Sequence, residues 1–142
     1  MDPYFHYHGP FSSFSYRLYE ERYINDGISR HFNYDAIITG DLGYVGQSIL
    51  FDLMRKQGKD IKQNHMDCGM LIFDQQTQGT NAGGSGCGCA AVTLSSFILP
   101  RISAGEWKRV LFVPTGALMS TVSYNEGQSV PGIAHGIVLE HC

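Results

Sequence analysis

The sequence predicts an α/β domain built in layers, in which helices flank a sheet whose strands are mostly parallel or mixed. Short apolar runs typical of buried strands alternate with stretches that repeat apolar residues at helical spacing. Apart from the last connection, the segments between strands are too long for hairpins, which favours crossovers between parallel strands. Turn-forming glycines follow the strands, at the edge of the sheet where such folds bind ligands.

The size of the chain predicts a single domain. Of its 142 residues, 43% are hydrophobic and 16% charged, which is enough for one core and too little for two ordinary domains. Residues 1–10 hold two prolines and a glycine, which indicates an irregular lead-in to a domain spanning 11–142. Residues 11–25 repeat apolar side chains at helical intervals and predict the first helix, with Gly27 past its last turn.

A strand, a turn and a helix come next. Residues 34–39 form an isoleucine-rich run that predicts a buried strand, and residues 40–43 supply the turn. Residues 44–57 predict a helix that ends before Gly58. The apolar stripe of this helix consists of Val45, Ile49, Leu50, Leu53 and Met54.

The middle of the chain predicts a short strand and a longer helix. Residues 70–73 are apolar and predict the strand, and residues 74–80 predict a polar turn. A helix is predicted to start at about Ser85 and to close at Gly105, with one apolar side. Because Pro100 removes a backbone donor and clashes with the preceding turn, we expect a kink or a break there.

Two further strands complete the pattern. Arg109–Val113 is an apolar run that predicts a strand ending at residues 114–116. Residues 120–131 are polar and predict a loop, and residues 132–140 predict the last strand.

Composition and charge argue against several classes of protein. A net charge of −3 with scattered Lys and Arg leaves no basic stripe for nucleic acid. No apolar run approaches the roughly 20 residues that a membrane helix needs, and no basic segment precedes an apolar one at the start. We therefore expect a soluble, unexported protein with no nucleic-acid partner and no transmembrane segment.

The cysteines are too few and too unevenly spaced for a disulfide framework, so we predict reduced thiols. On a helix, Cys87 and Cys89 would point roughly 200° apart, which does not suit the chelation of one ion. No metal site is predicted. Small buried side chains are the simpler interpretation of these thiols.

Residues 81–92, NAGGSGCGCAAV, are the stretch that most indicates a ligand site. Gly83, Gly84 and Gly86 lack Cβ atoms, so another group can approach their amides closely. These amides lie at a predicted helix start, where unpaired donors and the helix dipole favour a carboxylate or a phosphate. A tight strand-to-helix turn without a ligand is the alternative interpretation.

Five segments carry a resemblance to a known family: TGDLGYVGQ (39–47), MDCGMLIFD (66–74), AGGSGCGCAAV (82–92), RVLFVPTGALMS (109–120) and IAHGIVLE (133–140). In order and spacing they resemble the C-terminal portion of the stage V sporulation protein AD family, which belongs to the thiolase-like superfamily. The resemblance covers about residues 25–142. It implies a layered thiolase-like half-fold, incomplete relative to a family fold that has two similar α/β halves and a reactive centre between them.

The resemblance implies that only the second half is present in this sequence. The first half, which holds the nucleophilic cysteine of working thiolases, has no counterpart in the segment upstream. Either the chain is truncated or divergent, or another chain supplies the missing half. Because half of such a fold exposes apolar surface, we expect either a homo-oligomer or association with an N-terminal half.

The same resemblance implies that catalysis is lost. In ketoacyl synthases the strand that matches YDAIIT is followed by a histidine, and the helix start that matches AGGSG holds an asparagine. Those places read Gly40–Asp41 and residues 83–85 here, so neither a general base nor an oxyanion donor is retained. We expect no enzyme and no catalytic residue. His135 is the nearest substitute for the histidine, with an ordinary core or turn histidine as the alternative.

The function that the resemblance implies is binding of dipicolinic acid, pyridine-2,6-dicarboxylate, or its calcium chelate, for uptake into the developing spore. The implied partners are other proteins of the same sporulation locus, and the implied location is the spore, soluble or peripherally associated with its inner membrane. No cofactor is expected apart from calcium as part of the ligand, which Asp41 would face. The predicted ligand-binding residues are Asp41, Gly83, Gly84, Ser85, Gly86, Cys87, Thr115, Gly116 and His135.

Three alternatives remain open at the level of sequence. The chain could be an acyltransferase subunit that uses Cys87 or Cys68 as nucleophile and His135 or His65 as base. It could bind a nucleotide, since residues 86–91 match GxGxxA, although no acidic residue closes the next strand. It could also be an inactive truncated fragment.

Overall fold

The computed structural model of the chain describes residues 16–17, 33–83, 88–114, 122, 125–127 and 136–142. Its strands are β1 (Tyr16–Arg17), β2 (Ala36–Thr39), β3 (His65–Asp67), β4 (Arg109–Val113) and β5 (Ile137–Glu140). Its helices are α1 (Gly43–Lys56), α2 (Cys68–Ile72), α3 (Gln75–Gln78), α4 (Cys89–Thr93) and α5 (Leu99–Ser103), with a π-helical segment, Leu94–Ile98, between the last two.

Within the described residues the strands form one five-stranded sheet in the order β1-β5-β4-β2-β3. Three neighbouring strands run parallel, because β2 pairs in parallel with both β3 and β4. The other pairings are antiparallel, β5 with β4 and β1 with β5. The α/β class predicted from sequence is therefore confirmed, with a mixed sheet.

One face of the sheet packs against α4, the π-helical segment and α5. Alternation along the strands directs Ile38, Val110 and Phe112 to this face, where they form a buried cluster with Ile98 and Ile102. Ile98 and Ile102 are fully buried. This apolar cluster is the hydrophobic core of the described part of the chain.

The other face of the sheet packs against α1. The crossovers from β2 to β3 and from β3 to β4 run in opposite directions along the sheet, so right-handed connections place their helices on opposite faces. Helix α1 has nearly its predicted bounds, but its apolar stripe is not buried as a whole. Val45, Ile49 and Leu53 are 58%, 55% and 53% exposed. The side of α1 that contacts the sheet is instead lined by residues such as Gln47 and Phe51.

Pro100 does not interrupt the helix in which it lies. The irregularity expected there occurs one turn earlier as the π-helical segment, and α5 continues through Pro100 to Ser103. The amide of Leu99 donates to the carbonyl of Leu94, five residues back. This wider turn accommodates a residue that lacks its own backbone donor. The end of the helix predicted at residues 104 and 105 is confirmed, since Ala104 is the C-cap of α5.

The strand predicted at residues 70–73 is wrong. The strand of this region is β3, which ends at Asp67, and residues 68–72 form α2 instead. The reason is local, because the Asp67 carboxylate accepts hydrogen bonds from the amides of Gly69 and Met70 and so starts a helix. The polar turn predicted at 74–80 contains the short helix α3, which Asp74 caps in the same way.

The helix predicted over residues 11–25 is wrong at Tyr16–Arg17, which form β1 and pair with Leu139 and Val138 of β5. The rest of that prediction and the lead-in lie outside the described residues. The described part of the long helix begins at Cys89, and that of the last strand at Ile137. The strand predicted at Arg109–Val113 is confirmed as β4. None of the helices in the described ranges has the length and apolar character needed to cross a membrane.

Candidate functional site

The candidate site lies where β2 and β3 end, at the carboxyl edge of the parallel part of the sheet. Thr39 and Asp67 are the last residues of these strands and are partners in the register. The loop that leaves β2 contains Asp41 and leads directly into α1 at Gly43. This edge is where α/β sheets bind ligands, and it contains the first of the predicted ligand-binding residues.

Asp67 is the centre of the hydrogen bonds at this edge. Its Oδ2 atom accepts from the Thr39 hydroxyl at 2.6 Å and from the Leu42 amide at 2.8 Å. Its Oδ1 atom accepts from the amides of Gly43 at 3.2 Å and Gly69 at 3.1 Å, with Met70 at 3.4 Å. Because Asp67 is only 1% exposed, this carboxylate depends on these donors in place of water.

His65 extends the network toward α1. Its Nε2 atom lies 3.2 Å from the Thr39 hydroxyl, and its Nδ1 atom lies 3.1 Å from the Gln47 side-chain nitrogen. Gln47 donates to Nδ1, so the network assigns the proton to Nε2, which donates to Thr39 as Thr39 donates to Asp67. Phe51 packs its ring at 84° to the imidazole. Burial lowers the pKa of His65, and the negative charge of Asp67 opposes this only in part.

The glycine stretch meets this loop through backbone contacts. The Tyr44 amide donates to the Ala82 carbonyl at 2.5 Å. Gly43 has a φ of +65°, and a Cβ placed there would overlap the Ala82 carbonyl oxygen. A Cβ on Gly83 would lie 2.7 Å from the Cα of Gly43. Glycine is therefore required at both positions, and residues 82–83 lie directly against the start of α1.

Cys68 and Cys89 lie on the other side of the sheet, in the apolar cluster with Ile98. Burial raises the pKa of the Cys68 thiol to about 11, a hydrogen bond with Thr93 opposes this, and the charges of Asp67 and Asp41 raise it further. Burial and the same two carboxylates also raise the pKa of Cys89. Both thiols are protonated at neutral pH, and their surroundings are electrically negative.

Two of the predicted ligand-binding residues, Asp41 and Gly83, are in the described part of the chain. Although they are far apart in sequence, they are close in space. Gly83 lies against the backbone of Gly43, which follows Asp41 by two residues. The other predicted residues lie outside the described ranges: Gly84, Ser85, Gly86, Cys87, Thr115, Gly116 and His135.

Of the residues named in the acyltransferase alternative, Cys68 and His65 are described. His65 and Asp67 alternate with Met66 along β3, and Met66 packs against the cluster that contains Cys68. His65 points to the opposite face, toward Gln47 and Phe51. These two side chains are therefore not arranged as a nucleophile and its base.

Sequence reasoning missed Thr39 and Asp67. The sequence did contain a signal for Asp67, since an aspartate directly before Cys68–Gly69 can cap a helix that starts there. It was masked by the apolar residues 70–73, which resemble a strand. Among the described residues, no group of three or more His, Cys, Asp or Glu side chains is arranged to hold a metal ion.

Comparison with known proteins gives a consistent result. A family model described as "Stage V sporulation protein AD" matches residues 20–140. Among curated proteins, stage V sporulation protein AD of Bacillus subtilis (strain 168) is similar to the chain, with 41% identity over 123 residues. The alignment covers 81% of this chain and 36% of the relative, so the chain spans well under half of the length of that protein.

Proposed function

The chain belongs to the stage V sporulation protein AD family, and from that premise we propose that it is a non-catalytic sporulation protein that binds dipicolinic acid. The ligand is bound free or as its calcium chelate, for uptake into the developing spore. The fold proposed for the chain is the second half of a thiolase-like protein, with residues 11–142 as its domain.

The observation that carries the proposal is the contact of Gly43 with Ala82 and Gly83. It joins the loop of Asp41 to the first residues of the glycine stretch, which are the two regions where the sequence predicts ligand contacts. A flat dicarboxylate needs amide donors for its oxygens, and its calcium ion needs a carboxylate. Asp41 supplies a carboxylate two residues before Gly43, and the predicted amides of residues 84–86 follow Gly83 directly in the chain.

The first amides of α1 do not contribute donors to a ligand. Those of Leu42 and Gly43 donate to Asp67, and that of Tyr44 donates to Ala82. The Gly83 amide is engaged as well, since it donates to the Thr80 carbonyl at 3.0 Å. We therefore assign the carboxylate contacts of the ligand to the predicted residues that follow it, Gly84, Ser85 and Gly86, and the contact with calcium to Asp41.

A binding role without catalysis agrees with the state of the two buried thiols, Cys68 and Cys89. A nucleophilic cysteine needs a thiolate, whereas burial and two carboxylates raise the pKa of Cys68 to about 11. The partners proposed for the chain are other proteins of the same sporulation locus, together with either a second copy or an N-terminal half. The location proposed is the developing spore, where the protein is soluble or peripherally associated with the inner membrane.

Calorimetric titration of the chain with dipicolinate, with and without calcium, tests the proposal. We expect saturable binding, and we expect Asp41→Asn to weaken the calcium-dependent part by about tenfold because a carboxylate ligand is lost. Asp52→Asn is the matched control, since Asp52 is an exposed aspartate on α1 whose partner is Arg55. A well-folded sample that shows no saturable binding in either condition would contradict the proposal for this chain.

Acyl transfer through Cys87 is tested separately, because that residue lies outside the described ranges. The chain is incubated with an acyl thioester and its peptides are analysed by mass spectrometry. We expect no adduct on any cysteine. A stoichiometric adduct would establish a nucleophile and overturn the non-catalytic assignment.

A further inference from the structure

We propose that Asp67 is the positioning residue of the ligand site, which fixes the loop of residues 40–43 against residues 82 and 83. This inference rests on the proposed binding function and adds a residue that does not itself touch the ligand. The two oxygens of Asp67 divide their hydrogen bonds between the start of α2 and the loop that leaves β2.

The Oδ1 atom of Asp67 explains the start of α2. It accepts from Gly69 and Met70, which is the ordinary arrangement of a helix cap and needs a single oxygen. The Gly43 amide adds a third donor, at 3.2 Å. The cap of α2 is therefore complete with Oδ1 alone and does not need Oδ2.

The Oδ2 atom serves the candidate site. It accepts from the Leu42 amide at 2.8 Å and from the Thr39 hydroxyl at 2.6 Å, which lie on either side of Asp41 in the chain. These two bonds hold the side chain of the residue two positions before Asp41 and the amide directly after it, on either side of the residue that is proposed to face calcium. They also hold the start of α1, and with it the surface that residues 82 and 83 contact.

A second connection supports the same loop from α1. Thr39 is bridged through His65 to Gln47, one helical turn beyond Gly43. The polar groups of β2, β3 and α1 therefore form one chain of hydrogen bonds that ends on Asp67. Buried networks of this kind fix one geometry, because each member left without its partner is costly.

Asp67→Asn separates the two oxygens. The remaining carbonyl takes the place of Oδ1, where three amides donate, and the new NH₂ group faces the amide of Leu42. Two donors then oppose each other at the loop while the cap of α2 is kept. We expect the affinity for dipicolinate to fall by about tenfold or more, which is the effect expected when a hydrogen bond to a charged group is lost.

Amide hydrogen exchange provides a readout that general destabilisation would not produce. In Asp67→Asn the Leu42 amide is expected to exchange at least about tenfold faster, whereas the Gly69 amide stays protected. Ile102→Ala is the destabilised control, because Ile102 is buried on the opposite face of the sheet. At a temperature where it is folded, it should bind dipicolinate within about twofold of the unchanged chain. If Ile102→Ala does not fold, Ile102→Val replaces it.

The outcomes distinguish this inference from the proposed function. If the unchanged chain does not bind dipicolinate, the proposed function fails, and the exchange of Leu42 against Gly69 alone decides whether Asp67 fixes the loop. Retained affinity with a freely exchanging Leu42 amide would overturn the positioning role. So would unchanged protection of Leu42 in Asp67→Asn, or an equal loss of affinity in the control.

Discussion

The two faces of the sheet are built in different ways. Beneath α4 and α5 the strands present Ile38, Val110 and Phe112 to helix residues that are themselves fully buried and apolar. Beneath α1, strands β2 and β3 bury Thr39, His65 and Asp67, together with Ile37, which alternation along β2 places on the same face as Thr39. The first face is stabilised by removing apolar surface from water, whereas the second also depends on hydrogen bonds between its buried polar side chains.

This difference separates stability from the candidate site. The apolar cluster contains no residue of the loop at 40–43, although the charge of Asp41 acts on Cys68 and Cys89 within it. The polar face directs hydrogen bonds to residues on either side of Asp41. Substitutions on the first face should lower stability without changing the geometry of the site. Substitutions on the second should change both.

Ile102→Ala is expected to have the largest effect on stability. It removes a fully buried side chain from the apolar face and leaves a cavity, which costs about 3 kcal/mol. Denaturant unfolding measures this as a lower midpoint at unchanged slope. A loss below about 1 kcal/mol would mean that this face relaxes freely and is not the core.

Thr39→Val is expected to cost about 1.5 kcal/mol although the side chain keeps its shape. The hydroxyl bridges His65 and Asp67, so its removal leaves the Nε2–H of His65 without an acceptor and takes one donor from Asp67. The same unfolding experiment measures the loss. A neutral or stabilising result would show that the polar face tolerates apolar replacement, and the contrast between the faces would fail.

His65 predicts a pH dependence that belongs to the polar face. Burial lowers its pKa in the folded protein below the ordinary 6.5, so the unfolded chain binds more protons between the lowered pKa and 6.5. The free energy of unfolding therefore rises with pH through that window. The contribution is fully present above about 6.5 and is lost as the pH falls.

Unfolding curves of the unchanged chain and of His65→Gln, recorded between about pH 5 and 8, measure this contribution as the difference between the two. We expect a positive slope in the difference below about pH 6.5 and none above it. A difference that falls with rising pH would mean that the folded state stabilises the charged imidazole.

Ile49→Gln is expected to have the smallest effect, within about 0.5 kcal/mol, because Ile49 is 55% exposed on the outer side of α1. The control is Ile38→Val on the apolar face, for which about 1 kcal/mol is expected. If Ile49→Gln costs more than its control, then the outer side of α1 is covered in solution and belongs to a third packed surface.

The elements that the sequence predicts well are those whose apolar residues coincide with burial. β2 and β4 each contain an uninterrupted apolar run. Helix α1 is the exception, because its predicted bounds are shifted by only one residue although most of its apolar stripe is exposed. β3 could not be found in this way, because it buries His65 and Asp67 through hydrogen bonds that form only when β2 lies beside it. The exposure of the apolar side of α1 could not be predicted either. Helical periodicity indicates which side of a helix is apolar, but it does not show whether another element covers that side.

The same limit applies to the candidate site. Asp41 was singled out from its position after a strand, and its place near Gly83 follows from the structure. Asp67 was not singled out, because its role depends on donors from Thr39 and Leu42, more than twenty residues earlier in the chain. Hydrogen bonds between distant segments leave no periodic pattern in the sequence.

The contact between Gly43 and Gly83 has a consequence for how the chain tolerates change. Each residue meets the backbone of the other's segment and not a side chain, so no substitution at one position can make room for a Cβ at the other. Neither substitution can therefore restore the other, although their costs should not simply add, because one displacement of the two segments would relieve both clashes. In a library that varies both together, the functional members should be confined to the pair of glycines, even though forty residues separate them.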